Sequence, residues 1–261
     1  MTIPLFMPEE ACPHRCVFCN QHTITGRQSR PSDEEILDTV RKYLASRKPS
    51  IRHVGIGFFG GSFTGLPLPE MEHVLSLVQP WIHSGEVQAI RLSTRPDYID
   101  ETILDLLKRM RVSTIELGVQ SFRNHVLEAS GRGHTAEDTE RASARILKHG
   151  FRLGHQLMVG LPGEEPGDEG YNAKETIRMG ASDVRIYPVL VLKDTELAQR
   201  YANGVYQPLS LEEAMARVRR MADIFQIAGL NIIKIGLHPS ESFLSGKLIA
   251  GPWHPNFREL I

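Results

Sequence analysis

Cysteine is scarce in this chain: three among 261 residues. An odd number cannot all close into intramolecular disulfides, so a disulfide-stapled secreted fold is excluded. No run of about 18 apolar residues occurs, which excludes an ordinary membrane-spanning helix. There is no net charge to speak of, the formal value being -1, so no global basic field recruits nucleic acid. A local basic patch is still allowed. The segment Met1 to Pro8 lacks the basic-then-apolar pattern of a secretory leader, which predicts a cytoplasmic chain. Low-complexity stretches, sequence repeats and an obvious domain linker are also missing.

What is there is ordinary globular composition, 41% hydrophobic and 23% charged, enough to bury a substantial core without staples. Short apolar, β-branched runs predict strands over Ile3–Met7, Val54–Phe59, Ala89–Ser93, Thr114–Val119, Arg152–Val159, Val184–Val189 and Asn231–Ile235. Several are almost continuously apolar, as in strands covered on both faces. Amphipathic segments predict helices over Ser32–Ala45, Leu68–Val78, Asp100–Met110, Thr135–Lys148, Gly170–Met179 and Ser210–Ile227. Two of them open on capping boxes, Ser32 with Glu35 and Ser210 with Glu213. Strand–helix alternation of this kind builds right-handed βαβ units. Seven strands fit an open doubly wound sheet or an incomplete barrel. In both, ligands gather at the carboxyl ends of the strands, so the turns after the strands are where function is sought.

The three cysteines all lie in one such turn, after the first strand: Cys12-Pro13-His14-Arg15-Cys16-Val17-Phe18-Cys19. Three thiolates can hold an iron–sulfur cluster and leave one iron without a protein ligand. Phe18 is placed to shield such a cluster from water. Zinc is an alternative, with His14 or His22 as fourth ligand, and plain packing is another.

Other turns add to the pattern. Gly60-Gly61-Ser62 follows the second strand, and glycines let a ligand approach the backbone closely. Ser93-Thr94-Arg95-Pro96-Asp97 follows the third. Its small hydroxyls suit a ribose or carboxylate, and Arg95 suits a carboxylate. The bland reading is a turn into the next helix, capped by Asp97 or Asp100. Glu116, Gly118 and Gln120 alternate along the fourth strand and so face one side, which implies a polar interior. Arg132 and His134 are either part of the site or solvated residues before a helix.

The spacing C-x3-C-x2-C with an aromatic residue before the last cysteine resembles the signature of the radical S-adenosylmethionine (SAM) superfamily. Gly-Val-Gln-Ser at 118–121, followed by Arg-Gly-His at 132–134, resembles in particular the radical SAM domain of the Elongator catalytic subunit, without its acetyltransferase domain, and oxygen-independent coproporphyrinogen oxidase-like proteins. The resemblance covers about Ile3 to Gly204. It implies a partial (β/α)6-type barrel over residues 1–204, with a C-terminal helix, last strand and tail over 205–261 packed on it. It implies a [4Fe–4S] cluster on Cys12, Cys16 and Cys19, and SAM bound by Gly60, Gly61 and Ser62, by Ser93 and Arg95, by Gln120 near the ribose, by Arg132 at the carboxylate and by Met158 at the adenine. Ser62 stands where many members have Glu. Met158 is otherwise core filler, and Tyr187 is a candidate to point inward.

The implied activity is reductive cleavage of SAM to a 5′-deoxyadenosyl radical that abstracts hydrogen from a substrate, with an electron donor such as flavodoxin or ferredoxin. RNA, as in tRNA modification, is one candidate substrate and a small metabolite another. A zinc-binding nucleic-acid module and a non-catalytic iron–sulfur scaffold are the competing classes. The tail from Gly236 through His238 and Glu241 to Pro255 matches nothing assignable.

Overall fold

The computed structural model describes residues 1–7, 12, 16–20, 29–237 and 246–261. Seven parallel strands form one sheet: β1 (Thr2–Phe6), β2 (Gly55–Phe59), β3 (Ala89–Thr94), β4 (Val112–Gln120), β5 (Arg152–Val159), β6 (Asp183–Pro188) and β8 (Asn231–Ile235). Their spatial order is β1-β2-β3-β4-β5-β6-β8. Each strand pairs with the next in sequence, so the sheet never reverses direction. A doubly wound sheet needs such a reversal; its absence leaves the incomplete barrel. All seven strands expected from the apolar runs are present, most of them shifted by one or two residues at an end.

Helices follow the strands: α1 (Asp33–Ala45), α2 (Leu68–His83), α3 (Glu101–Arg109), α4 (Asn124–Ala129), α5 (Ala136–Lys148), α6 (Asp168–Arg178), α7 (Glu196–Ala202) and α8 (Leu211–Ile227). Both expected capping boxes form, and Thr135 with Asp138 makes a third. Asp100 is the cap of α3, accepting from the Ile103 amide at 2.8 Å. Helix α2 runs beyond the expected end at Val78, through Pro80 to His83. Trp81 and Ile82 pack on the core there, and that burial outweighs the amide lost at Pro80. Helix α6 begins two residues before the expected Gly170, after Gly167 in the left-handed region (φ 104°).

Alternation along each strand sorts the sheet into two faces. Ile56 and Phe58, Ile90 and Leu92, Ile115 and Leu117 are buried against the helices, each contributing about 2 kcal/mol of hydrophobic stabilisation. The opposite, concave face is polar: it carries Arg91, Glu116, Arg185 and Tyr187. A small antiparallel pair, β7 (Val191–Leu192) with β9 (Leu248–Ala250), lies beside it. The C-terminal turn holds the edge strand, where Arg258 donates to the Ile232 and Ile233 carbonyls at 3.2 and 3.1 Å. His238 and Glu241 lie outside the described residues.

Candidate functional site: the cysteine loop and the strand ends

The described part of the cysteine loop is fastened to two later elements. The Val17 amide donates to the Ser130 carbonyl at the end of α4 (3.1 Å), and the Leu197 amide of α7 donates to the Val17 carbonyl (2.7 Å). Asn20 Nδ2 reaches the Lys193 carbonyl at 3.0 Å. Beneath the loop, Val17, Val126, Leu161 and Leu197 form an apolar cluster, with Phe18 and Met158 packed against it. Met158 therefore sits under the cysteine loop and not in the main core.

Cys16 is buried, Cys19 half-buried and Cys12 exposed. Among the described residues no three Cys, His, Asp or Glu side chains stand close enough together to hold a single metal ion. Cys12 and Cys16 each have a partner from a later turn, Ser62 after β2 and Arg132 between α4 and α5. Cys12 Sγ lies 3.6 Å from Ser62 Oγ. Cys16 Sγ accepts from Arg132 Nη1 at 3.3 Å. His14 and His22, the fourth ligands a zinc site would use, lie outside the described residues.

The remaining strand-end residues close around this pair of contacts. Ser62 is buried in the turn after β2. Gly60, at φ 109°, holds a conformation that favours glycine, and any side chain there would meet the Met7 backbone at 3.3 Å. Arg95 is 1% exposed and is held by Asp97 at 2.9 and 2.8 Å. Burial opposes its charge, but Asp97 and the nearby Cys16 and Cys12 thiols hold its pKa raised. Arg132 Nη2 donates to the Gly118 carbonyl at 2.6 Å. A methyl group on Gly118 would stand 2.7 Å from that nitrogen and 3.1 Å from Gln120 Nε2, so the missing side chain is what admits both. Gln120 itself is bent into the left-handed region (φ 67°) where the β4–β5 register slips, a bulge of the kind that re-aims a side chain. Ser93 is half-buried one residue before Thr94.

Arg132 and His134 are 7% and 3% exposed, which rules out solvated residues before a helix. The His134 pKa is lowered to about 3, first by burial and then by the charges of Arg132 and Arg95.

Four of these buried side chains carry a polar atom with no partner: Arg95 Nη1, Gln120 Oε1, Arg132 Nε and His134 Nδ1. Orphaned buried polar atoms are uncommon, and here they belong to one set of turns beside the Cys12 and Cys16 thiols. Donors for a carboxylate, an acceptor for an amine or hydroxyl, and soft sulfur ligands are the set that a [4Fe–4S] cluster with a chelating amino acid needs. The residues fit that pair.

Deeper on the concave face is a charged group, of which the sequence pointed only to Glu116 and Tyr187. Glu116, 2% exposed, accepts from Arg91 Nη1 at 2.8 Å and from Arg185 Nε at 2.5 Å. Arg185 also lies over the Phe59 ring, 5.0 Å from its centroid. Tyr187 is half-buried beside Arg185, and burial raises its pKa although the guanidinium lowers it. Lys234, on β8, completes the group. Its only sequence signal is a lone cation inside the apolar run Ile232 to Ile235.

The sequence model of the Radical SAM superfamily matches residues 8–171, and that of the Radical_SAM C-terminal domain matches residues 182–261. The chain belongs to the radical SAM superfamily, and its cofactors are the family's [4Fe–4S] cluster and SAM. Among curated proteins it is 35% identical over 130 residues to the tRNA uridine(34) acetyltransferase of Methanocaldococcus jannaschii, a match covering 49% of this chain and 24% of that protein. It is 26% identical over 191 residues to the heme chaperone HemW of Bacillus subtilis, covering 69% of this chain and 48% of that one. The chain thus spans less than half the length of these two relatives. Among solved structures, the Methanocaldococcus infernus Elp3 lacking its N-terminus superposes with a TM-score of 0.79 at 20% identity, over 99% of this chain and 61% of that one; the shared fold is the partial barrel. Among the described residues no helix is long and apolar enough to cross a membrane.

Proposed function

We propose that this chain is an enzyme that cleaves SAM reductively and uses the product to abstract hydrogen from a substrate. Cys12, Cys16 and Cys19 are the cluster ligands in this reading. Gly60, Gly61, Ser62, Ser93, Arg95, Gln120, Arg132 and Met158 surround the bound SAM. The observation that carries it is the set of partnerless buried atoms on Arg95, Gln120 and Arg132 beside the cysteine loop. When bound, the cofactor pair supplies one-electron cleavage of the sulfonium and the hydrogen-abstracting power that follows.

The residues of this chain supply placement. Arg132 fixes the loop through Cys16 and keeps Nε for a carboxylate. Arg95 is oriented by Asp97 so that Nη1 is presented. Gln120 Oε1 accepts from an amine or hydroxyl, and Phe18 with Met158 keeps water from the loop. That chemistry requires an electron donor such as flavodoxin or ferredoxin. The barrel over 1–204 carries the cofactors, and 205–261 closes its far edge. RNA is the substrate class supported by the likeness to the tRNA uridine(34) acetyltransferases. The near-neutral charge weighs toward a small metabolite instead.

A second reading is a cluster-bearing protein without turnover, favoured by the likeness to curated heme chaperones. Anaerobic reconstitution with iron and sulfide, reduction by dithionite and quantification of 5′-deoxyadenosine separate the two. The enzyme gives iron-dependent cleavage that Cys16→Ala abolishes. Iron without cleavage supports the second reading, and zinc alone with no SAM binding overturns both.

A further inference from the structure

Gly118, Gln156, Arg185 and Lys234 are register partners across β4, β5, β6 and β8. They form one row on the concave face, since strand neighbours in register point the same way. At one end Arg132 donates to the Gly118 carbonyl, so the row starts at the candidate SAM site. It ends in two cations, Arg185 on β6 and Lys234 on β8.

The charges on and beside this row do not balance. Arg91, Arg185 and Lys234 are set against Glu116; Asp183, the other carboxylate on this face, is already taken by Arg152 and Asn231. Both oxygens of Glu116 are taken: Oε1 by Arg91 and by Arg185 Nη2 at 3.3 Å, Oε2 by Arg185 Nε. Among the described residues no carboxylate pairs with Lys234. Its neighbours are instead cations, Arg185 and Arg258, and burial together with their charges lowers its pKa. A sheltered excess of positive charge is costly unless an anion completes it. The Arg185 side chain is 15% exposed, and a guanidinium beside an ammonium is a strong phosphate or carboxylate receptor.

From this imbalance we infer that Arg185 and Lys234, backed by Arg91, form an anion subsite that takes a phosphate or carboxylate group of the substrate. The assignment of that anion to a substrate rests on the SAM-enzyme reading above; the subsite itself rests on the charge balance of the row. A substrate anchored there would lie along Gln156 toward Gly118, the end of the row where Arg132 stands.

The test is isothermal titration of the full, anaerobically cluster-loaded chain with inorganic phosphate and with succinate at low salt. Saturable binding in the low-millimolar range is expected for one of the two or both, which names the group. Lys234→Gln should weaken it about tenfold or more, the size of one charge-assisted hydrogen bond, while Lys234→Arg holds within about threefold. Removing an unpaired cation should also leave the thermal midpoint of Lys234→Gln unchanged or raised. Should that variant fold poorly, Arg185→Lys gives the same reading, with weaker binding through loss of the planar donor pair. Competition by an oligonucleotide without terminal phosphates assigns the anion to a phosphodiester, and competition by free phosphate alone assigns it to a terminal group; both support the subsite.

No saturable binding, binding unchanged by Lys234→Gln, or displacement of phosphate by SAM itself would overturn it. SAM cleavage without anion binding would remove the subsite and leave the enzyme. Anion binding without SAM cleavage would do the reverse.

Discussion

Arg132 ties Cys16 to Gly118: one guanidinium nitrogen donates to the thiol at 3.3 Å and another to the carbonyl at 2.6 Å. The cysteine loop follows β1 and Gly118 is on β4, so this side chain bridges the loop to a strand end, alongside the backbone bonds that hold Val17 to Ser130 and Leu197. Only a planar, forked donor spans both partners and still has Nε left over.

Arg132→Lys keeps the charge and loses the fork. SAM cleavage should fall about tenfold or more, the loss of a charge-assisted hydrogen bond, while iron and sulfide content after reconstitution stays near the parent. Iron analysis and 5′-deoxyadenosine yield check this together. If iron fell in proportion to cleavage, Arg132 would be a clamp for the loop and not a partner of SAM.

Gly118→Ala puts a methyl group 2.7 Å from Arg132 Nη2 and 3.1 Å from Gln120 Nε2. Both side-chain ends must move, so SAM affinity should drop, with an overpacking cost of about 1–3 kcal/mol. Gly85→Ala is the control. At φ 76° with no atom within 4 Å it strains only the backbone, costing about 1 kcal/mol, and SAM binding should be untouched. Equilibrium binding and urea unfolding of the two variants measure the contrast.

The contrast between these glycines bears on what the sequence can reveal. Seven strands were legible because a strand covered by helices must be apolar on one face, as in Val54–Phe59. The pair β7–β9 was not, because two or three residues carry no period. The end of α2 was misplaced because Pro80 signals a stop that Trp81 and Ile82 override by burial. Asp97 and Asp100 are equally good caps by composition; only the structure shows Asp100 on the helix and Asp97 on Arg95. The cysteine spacing and the Gly-Val-Gln-Ser run pointed to the site, but the left-handed bend at Gln120 and the place of Lys234 depend on strand register, which single residues do not encode.

Glu116 lies between Arg91 and Arg185 with its side chain 3% exposed. Glu116→Gln removes the one negative charge and leaves two sheltered guanidinium groups facing each other. Breaking a buried pair on one side costs about 3–5 kcal/mol, and a loss near the lower end is expected because both arginines retain some water. Adding Arg185→Gln should recover part of it, with a coupling of about 1–3 kcal/mol in a double-mutant cycle by urea unfolding. Strictly additive losses would mean that the three side chains do not act as a unit.

Glu164 gives the stability a pH dependence of unusual sign. Its side chain accepts from the Gly160 and Leu161 amides at 2.6 and 2.9 Å under the loop that follows β5. Burial raises its pKa to about 7, more than those amides and Arg217 lower it. The folded chain therefore holds a proton that the unfolded chain releases above the ordinary carboxyl value near 4.5, and stability falls as pH rises between those limits. His155, wholly buried with its pKa lowered to about 3 by desolvation, acts oppositely: the unfolded chain takes up a proton below about 6.5 and the folded chain does not, so stability falls as pH drops. The two effects overlap in wild type, but His155 cancels in the difference between wild type and Glu164→Gln. That difference should grow in favour of the variant from pH 5 to pH 8, by about 3 kcal/mol in all, when urea unfolding is followed at unit steps. A flat difference would place Glu164 among ordinary, ionised carboxylates held by Arg217.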